Sequence, residues 1–473
     1  MIALTLAEIA AVVGGAVHGD PDIVVSGAAF LDSRVPVPGG LFVAVVGEHS
    51  DGHAHAEGAV SAGAAAVLAG RPTAAPTVVV DDVVLALGTL ARHVVDALPG
   101  LVVVALTGSQ GKTGTKDYLA QVLAAAAPTV ATEGNYNNEL GVPLTVLRAD
   151  AGTRYLVVEM GARGLGHIGY LCDIAHPRVA AVINVGTAHL GEFGSREAIA
   201  VAKGEIVEAL PADGVAVLNA DDPLTLAMAG RTRARVLTFG AAGAVGWRRL
   251  ELDDLGRPAF ELGYAGDWAP VRLRQPGAHQ VANAAAAAAM ALAAGLTLPE
   301  VAGALTASTS RSRWRMELHE RVDGVVVVND AYNANPASME AALDALISIG
   351  SGRRRTVAVL GEMRELGAES AAAHDGVGRY AAARGIGVLV GVGAAGNRIL
   401  AGAAAVPGWT GMGVATAGRE EALDWVRNNV TAGDVVLVKA SRGVALEYVA
   451  EGLLADPHQP NQPDPTDEGE PAR

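Results

Sequence analysis

Hydrophobic residues along this chain fall into short apolar runs and into longer stretches spaced for one face of a helix. The runs Leu41 to Val46, Ala65 to Leu68 and Thr77 to Val80, set between glycine and proline turns with two helical stretches, predict a small α/β unit in the first hundred residues. From Leu101 fully apolar runs alternate with helices: Leu101 to Leu106, Tyr155 to Glu159, Val179 to Val185 and Val215 to Asn219. Strands apolar on both faces belong in a parallel sheet covered by helices on both sides. A second alternating series, with strands at Val325 to Val328, Thr356 to Leu360, Val388 to Val392 and Val435 to Val438, predicts a smaller open sheet. From Asp456 the segment DPHQPNQPDPTDEGEPAR holds too few apolar residues to offset its ordering entropy, so disorder is expected there.

Length and charge narrow the function. A chain of 473 residues, 51% of them hydrophobic, has the length for about three domains and can fill several cores. No apolar run reaches the roughly 18 residues that span a bilayer. The opening MIALTLAEIAAVVGG carries Glu8 and no basic leader, so it reads as an amphipathic first helix of a cytoplasmic protein without membrane insertion. The single Cys172 can close no internal disulfide and completes no ligand cluster, which excludes zinc and disulfide chemistry. Fifty acids against 35 bases give a net charge of −15, which disfavours nucleic acid and anionic membranes as partners. Phosphate recognition must therefore be local. Arginine is common but lysine occurs only at 112, 116, 203 and 439, so each lysine marks a position where guanidinium does not substitute.

The first two lysines lie in LVVVALTGSQGKTGTKDYLAQVLAAAA, which reads strand, glycine loop, helix. Phosphate binding needs that order, because glycines admit the anion to backbone amides and the helix N-terminus faces it. Gly108, Ser109, Gly111, Lys112 and Thr113 are the candidate nucleotide contacts, with Thr113 placed to help hold magnesium. Leu106 occupies the first glycine position of G-x-x-x-x-G-K-[ST], a departure from that pattern. The predicted class is then α/β in three domains: residues 1–100, a central P-loop parallel-sheet domain 101–318, a C-terminal Rossmann-like domain 319–455, and the tail 456–473.

Two further residues follow consecutive strands of the central sheet. Glu159 ends one, and ligands of open parallel sheets collect at the carboxyl ends of strands, so it is either a magnesium ligand or a solvated strand-end acid. His189, in NVGTAHLGEFGS, is either a second magnesium ligand or structural. Lys203, in AIAVAKGEIVEAL, is either a surface lysine paired with an acid such as Glu208 or a desolvated amine that carries a carbamate.

The motifs TGSQGKTGTK, TEGNYNNELGVP, VEMG, NVGTAHLGEFGS with AKGEI, HQVANAAAA, RWRME, NDAYNANPASMEAAL, VLGEMRELG and VLVKASRG together resemble the Mur ligase family, over nearly the whole chain to about residue 450. The resemblance implies a monomeric ATP-dependent ligase that uses two magnesium ions and joins an amine to a UDP-linked muramoyl peptide. It places Asn137 and Asn138 beside the ATP phosphates, Glu159 and His189 at magnesium, and Lys203 where the family is carbamylated. Asn283 falls at the adenine contact, although Gln280 replaces a common asparagine in that motif. Arg315 corresponds to the arginine that reaches the γ-phosphate and Asp330 to the carboxylate that holds the ribose. In DSRVPVPGGLFVAVVGEHSDGH, Ser33 and Arg34 match the uridine-nucleotide site, and the histidines at 49, 53 and 55 read as a loop around that sugar.

Within the family the acceptor differs. A diaminopimelate-adding member carries a D-N-P-R-like motif in its C-terminal domain, whereas here the only similar string, Asp221, Asp222, Pro223, Leu224, lies in the central domain. Asn333 and Asn335, with VLGEMRELG, resemble the member that adds D-alanyl-D-alanine to a UDP-N-acetylmuramoyl-tripeptide. Lys439 and Arg442 are the expected cations for the acceptor carboxylate. A sister ligase adding diaminopimelate or lysine, a folate polyglutamylating ligase, a P-loop kinase and a noncatalytic nucleotide scaffold are the competing readings.

Overall fold

A computed structural model describes residues 1–47, 50–186, 193–350 and 352–455 of the chain. The expected tail disorder concerns residues outside that set. Near the N-terminus, the helix Leu6–Val13 starts at a reciprocal cap: Thr5 Oγ1 accepts from the Glu8 amide at 3.2 Å and Glu8 Oε2 accepts from the Thr5 amide at 2.7 Å. It packs with the helix Val83–Asp96 beside a five-stranded sheet ordered Ala16–His18, Thr77–Val79, Ala66–Ala69, Leu41–Ala44, Ala29–Phe30, parallel except for the first pair.

The central sheet has nine strands in the order Asp267–Arg272, Pro258–Tyr264, Val245–Leu252, Arg235–Phe239, Val215–Asn219, Val179–Val182, Val102–Thr107, Tyr155–Glu159, Thr129–Ala131. Neighbours from Val245–Leu252 to Thr129–Ala131 run parallel, as apolar two-faced strands require. The other end is an antiparallel meander that the apolar pattern does not announce. Its first strand turns Arg248, Arg249 and Glu251 toward water and carries a register shift between Arg248 and Glu251, so it lacks the continuous apolar signature.

One face of this sheet is covered by the helix His279–Ala293, in which alanines 284–289 are wholly buried. Alanine is the best intrinsic helix former, and its small side chain lets this helix lie close against the helix Lys112–Ala124. That contact sets the roof of the site described below.

The third sheet has six strands, ordered Glu317–Glu320, Val326–Asn329, Val435–Lys439, Thr356–Leu360, Val388–Val392, Met412–Thr416, and only its first pair is antiparallel. It meets the central sheet through Leu255, which joins the apolar cluster under the helix Pro336–Gly350. The fold is thus α/β with parallel-dominated sheets, as the alternation predicts. Among the described residues no helix is long and apolar enough to cross a membrane.

The helices Ser370–Ala383 and Gly393–Ala404 touch backbone to backbone: a Cβ on Gly378 would overlap the Ile399 carbonyl oxygen, and one on Gly402 the Asp375 carbonyl oxygen. Gly402→Ala should therefore destabilise the protein by about 2 kcal/mol through overpacking. Gly376→Ala, on the same helix pair but with nothing within 4 Å of its new Cβ, should be neutral or stabilise by up to about 1 kcal/mol. Denaturant unfolding of the two variants checks the contrast, and equal midpoints would refute the close-packing account.

Candidate active site

The strand Val102–Thr107 delivers the chain to the carboxyl edge of the central sheet, where residues 108–111 turn into the helix Lys112–Ala124. Gly111 sits at φ 73°, in the region that favours glycine, and a Cβ there would collide with Asn283 Oδ1. The turn is pinned from the neighbouring strand: Asn184 Oδ1 accepts from the amides of Ser109 at 3.1 Å and Gln110 at 2.9 Å, and its Nδ2 donates to the Gln110 carbonyl at 3.2 Å. Lys112 Nζ donates to the Gly108 carbonyl at 2.8 Å. Burial lowers the Lys112 pKa, Arg315 adds to that, and Glu159 and Glu365 oppose it. Thr113 is buried in the first turn of the helix.

Glu159, at the end of the adjacent strand, is only 2% exposed, so the solvated strand-end alternative fails. Its Oε1 accepts from Asn137 Nδ2 at 2.8 Å, while Oε2 is buried without a hydrogen-bond partner among the described residues. Lys203, on the helix Arg196–Glu208, is likewise buried at 3% exposure. Glu208 pairs instead with Arg231 at 2.8 Å, which removes the surface-pair alternative for Lys203. Desolvation first and the Lys112 charge second push the Lys203 amine well below its ordinary value, with Glu159 opposing. Nothing among the described residues hydrogen-bonds its Nζ. His189 lies outside the described residues.

The opposite wall comes from the third sheet. Arg315 stacks its guanidinium over Tyr332 at 4.0 Å, with Nε buried and unpartnered among the described residues. Asp330 Oδ2 accepts from Lys439 Nζ at 2.6 Å, and Oδ1 accepts from the Met316 amide at 3.1 Å. Lys439 also donates to the Asn333 carbonyl at 2.8 Å, so this buried lysine is committed within the fold rather than open to an acceptor carboxylate. Arg442 is ion-paired to Glu447, lies 4.3 Å over the Trp314 ring, and is not part of the cavity wall. Lys439 thus lines the cavity with Asp330 as its acid, whereas Arg442, paired to Glu447, lies outside the cavity wall.

These walls enclose a cavity of about 590 Å³ that Lys112, Glu159, Lys203, Asn283, Arg315, Asp330 and Lys439 all line, together with Ser109, Gly111, Thr113, Asn137, Asn138, Asn333 and Asn335. Its size suits a nucleotide with part of a second substrate. Gly108 supports it from behind, its Cβ position 3.0 Å from Ile183. Asn138 Oδ1 accepts from the Gly141 amide at 2.9 Å and Asn335 Oδ1 from the Ser338 amide at 2.9 Å, each starting a short turn into a helix. Asn283 donates to Gln280 Oε1 at 3.1 Å and shields the phosphate turn.

Ser33 and Arg34 are not part of this cavity; Arg34 is ion-paired to Asp32 at 2.9 Å in the N-terminal unit. There His53 bonds Asp51 Oδ1 at 2.6 Å and accepts the Gly70 amide at 3.1 Å, which makes it a bracket within its own unit. His49 lies outside the described residues. Sequence reading missed Asn184, Glu365 and His279. Asn184 was visible only as the first letter of a motif singled out for its histidine, His279 as the first letter of the alanine-helix motif, and Glu365, which holds φ 65° at the cavity, only as a letter within VLGEMRELG.

Residues 106–291 match the family model of the Mur ligase middle domain, and residues 314–442 that of the Mur ligase glutamate ligase domain. The chain is 46% identical to the UDP-N-acetylmuramoyl-tripeptide–D-alanyl-D-alanine ligase of Mycobacterium tuberculosis, covering 96% of this chain and 98% of that one. It is 36% identical to the enzyme of the same name from Escherichia coli, covering 96% and 99%. Among solved structures, MurF from Acinetobacter baumannii superimposes with a TM-score of 0.86 at 33% identity, covering 96% and 99% of the chains. MurF ligase from Thermotoga maritima, solved in complex with ADP, gives 0.78 at 31% identity, covering 91% and 97%.

Asn184→Ala removes the side-chain acceptor of the Gln110 amide, while the Ser109 amide keeps the Asn184 backbone carbonyl, and should weaken binding of a nonhydrolysable ATP analogue about tenfold. Titration calorimetry reads it. Unchanged affinity would mean that the turn holds its shape without the tether.

Proposed function

The chain belongs to the Mur ligase family, and from that premise we propose that it joins D-alanyl-D-alanine to UDP-N-acetylmuramoyl-tripeptide at the expense of ATP, giving the pentapeptide precursor of peptidoglycan. The observation that carries this reading is the single cavity in which a phosphate loop, a buried glutamate and a buried lysine face the asparagines of the third sheet. Near full-length identity to ligases of that name supports the choice of substrates.

A carboxylate resists amines because oxide is a poor leaving group. Transfer of the γ-phosphoryl group to the tripeptide carboxylate makes an acyl phosphate, whose phosphate leaves readily. Lys112 and Arg315, on opposite walls, offset the charge that develops on the transferred group. The dipeptide amine then attacks the acyl carbon, and the tetrahedral adduct expels phosphate. Because water destroys an acyl phosphate, the wall contributed by Asp330, Asn333 and Asn335 excludes solvent as well as holding substrate.

The donor set fits magnesium. Glu159 Oε2 is a buried carboxylate oxygen without a hydrogen-bond partner among the described residues, and Thr113 stands at the head of the loop helix. Magnesium keeps several of its waters and binds through phosphate oxygens and one or two carboxylates, so Glu159 and Thr113 would hold it beside the nucleotide phosphates. Magnesium there would neutralise phosphate charge. Lys203 fits the carbamate role, because only a neutral amine captures carbon dioxide and burial beside Lys112 favours the neutral form. Ser33 and Arg34 would hold the uridine nucleotide in the N-terminal unit. The proposed state is a monomer, and the ATP and UDP-linked substrates suit the cytoplasm.

Phosphate release should require both UDP-tripeptide and D-alanyl-D-alanine, and mass spectrometry should find the pentapeptide product but no coupling of diaminopimelate to the UDP-dipeptide. The reverse preference overturns the acceptor assignment. Lys112→Ala should abolish turnover and leave UDP-tripeptide affinity within about twofold, since separate units carry the two sites. Lys203→Ala should lose about 100-fold in rate and regain part of it with added short carboxylic acids, whereas Lys203→Arg should not respond. Full activity of Lys203→Ala without added acid would rule out the carbamate.

A further inference from the structure

We propose that Trp314 is a positioning residue that fixes Arg315 to the C-terminal sheet, so that the arginine enters the phosphate-loop cavity as part of that unit. The inference rests on the functional reading above. It begins from the backbone: Trp314 lies at φ 58° and Met316 at φ 49°, both in the left-handed region that bulky side chains avoid. Such conformations persist only where the surroundings impose them.

The surroundings here are specific. Trp314 Nε1 donates to Glu451 Oε1 at 2.9 Å, and the guanidiniums of Arg442 and Arg313 lie over the indole at 4.3 and 4.9 Å. Its carbonyl accepts the Tyr332 amide at 3.2 Å. On the other side of Arg315 the Met316 amide donates to Asp330 at 3.1 Å and the Met316 side chain is buried in the C-terminal core. Arg315 is thus gripped by both neighbours and rests on Tyr332, all within one unit.

The preceding residues belong to the other unit. The Ser312 amide donates to Asp117 Oδ2 at 3.1 Å, and Thr309 exchanges two hydrogen bonds with the Gln121 side chain, at 2.9 and 3.0 Å, both partners on the phosphate-loop helix. Across Arg313 the chain passes from a point fixed to the phosphate loop to a point fixed to the third sheet. Arg315 nevertheless lines the same cavity as Lys112. A guanidinium that must meet phosphate from a separate unit needs an index, and the indole anchored on Glu451 supplies it.

The test measures affinity for a nonhydrolysable ATP analogue by calorimetry and phosphate release with both substrates, in wild type, Trp314→Ala, Trp314→Phe, Arg315→Ala and the double Trp314→Ala/Arg315→Ala. Trp314→Ala should weaken the analogue about tenfold and lower kcat about 100-fold, as small misplacements of a charge-bearing group do, with KM for UDP-tripeptide within about twofold. Trp314→Phe, which keeps the ring under the guanidiniums, should recover most of the loss. The double variant should be no worse than Arg315→Ala, since Trp314 acts only through that arginine. Additive losses in the double variant, or wild-type analogue affinity in Trp314→Ala, overturn the proposal. Should Trp314→Ala fail to fold, Trp314→Phe and Glu451→Ala decide it: Glu451→Ala removes the indole bond together with the Arg313 contact at 3.3 Å, so it must weaken the analogue at least as much as Trp314→Phe, and adding Trp314→Phe to it must cost nothing further. A wild-type protein that releases no phosphate with these substrates refutes the functional reading instead, and the calorimetric arm still judges Trp314.

Discussion

Lys203 is buried within the field of the half-buried Lys112 at the carboxyl edge of one parallel sheet, and the cost of that arrangement shapes the rest of the site. Removing an ammonium group from water costs several kcal/mol after relaxation, so a second one nearby has to be met by anions or lose its proton. Glu159 is the carboxylate that favours the charged form of both. The strand order explains the convergence: Val102–Thr107 lies between Tyr155–Glu159 and Val179–Val182, so the residues that follow these three strands, Lys112, Glu159 and Asn184, share one edge. A protein of net charge −15 thereby sets Lys112 and Arg315 within one cavity whose lining also carries Glu159 and Asp330.

How much of this was legible depends on whether a residue's partner lies close in sequence. The strand, glycine turn and helix around Lys112 could be read directly, and Tyr155–Glu159 and Thr356–Leu360 have the bounds that their apolar runs suggest. Lys439 shows the limit. The sequence places it at a strand end among candidate cations, but its acid, Asp330, is on the neighbouring strand, 109 residues away. Asn184 was invisible for the same reason, since its partners are amides 74 and 75 residues earlier. The meander from Val245 to Arg272 escaped for a different cause. Its first strand spends its outward face on arginine and glutamate, so neither a continuous run nor clean alternation marks it.

Lysine scarcity was the one compositional signal that reached the site. All four lysines are buried or line the cavity, and none serves as generic surface charge. Lys116 is held by Asp117 at 2.7 Å and by the Thr132 carbonyl at 3.1 Å. The same Asp117 receives the Ser312 amide, so this ion pair also moors the linker that leads to Arg315.

Two of the contacts that hold the third sheet over the central one are small when counted in energy. Burying Leu255 contributes about 1.5–3 kcal/mol. The ion pair of Asp254 with Arg353, at 3.4 Å with side chains 79% and 75% exposed, adds about 0–1 kcal/mol. A bias of that size is readily outweighed by a ligand that touches both units, because such a ligand shifts the equilibrium by the full difference in its affinity for the open and closed forms. A nucleotide between Lys112 on one side and Arg315 with Asp330 on the other is such a ligand. Its binding would add to the protein contacts that already hold both walls around the cavity.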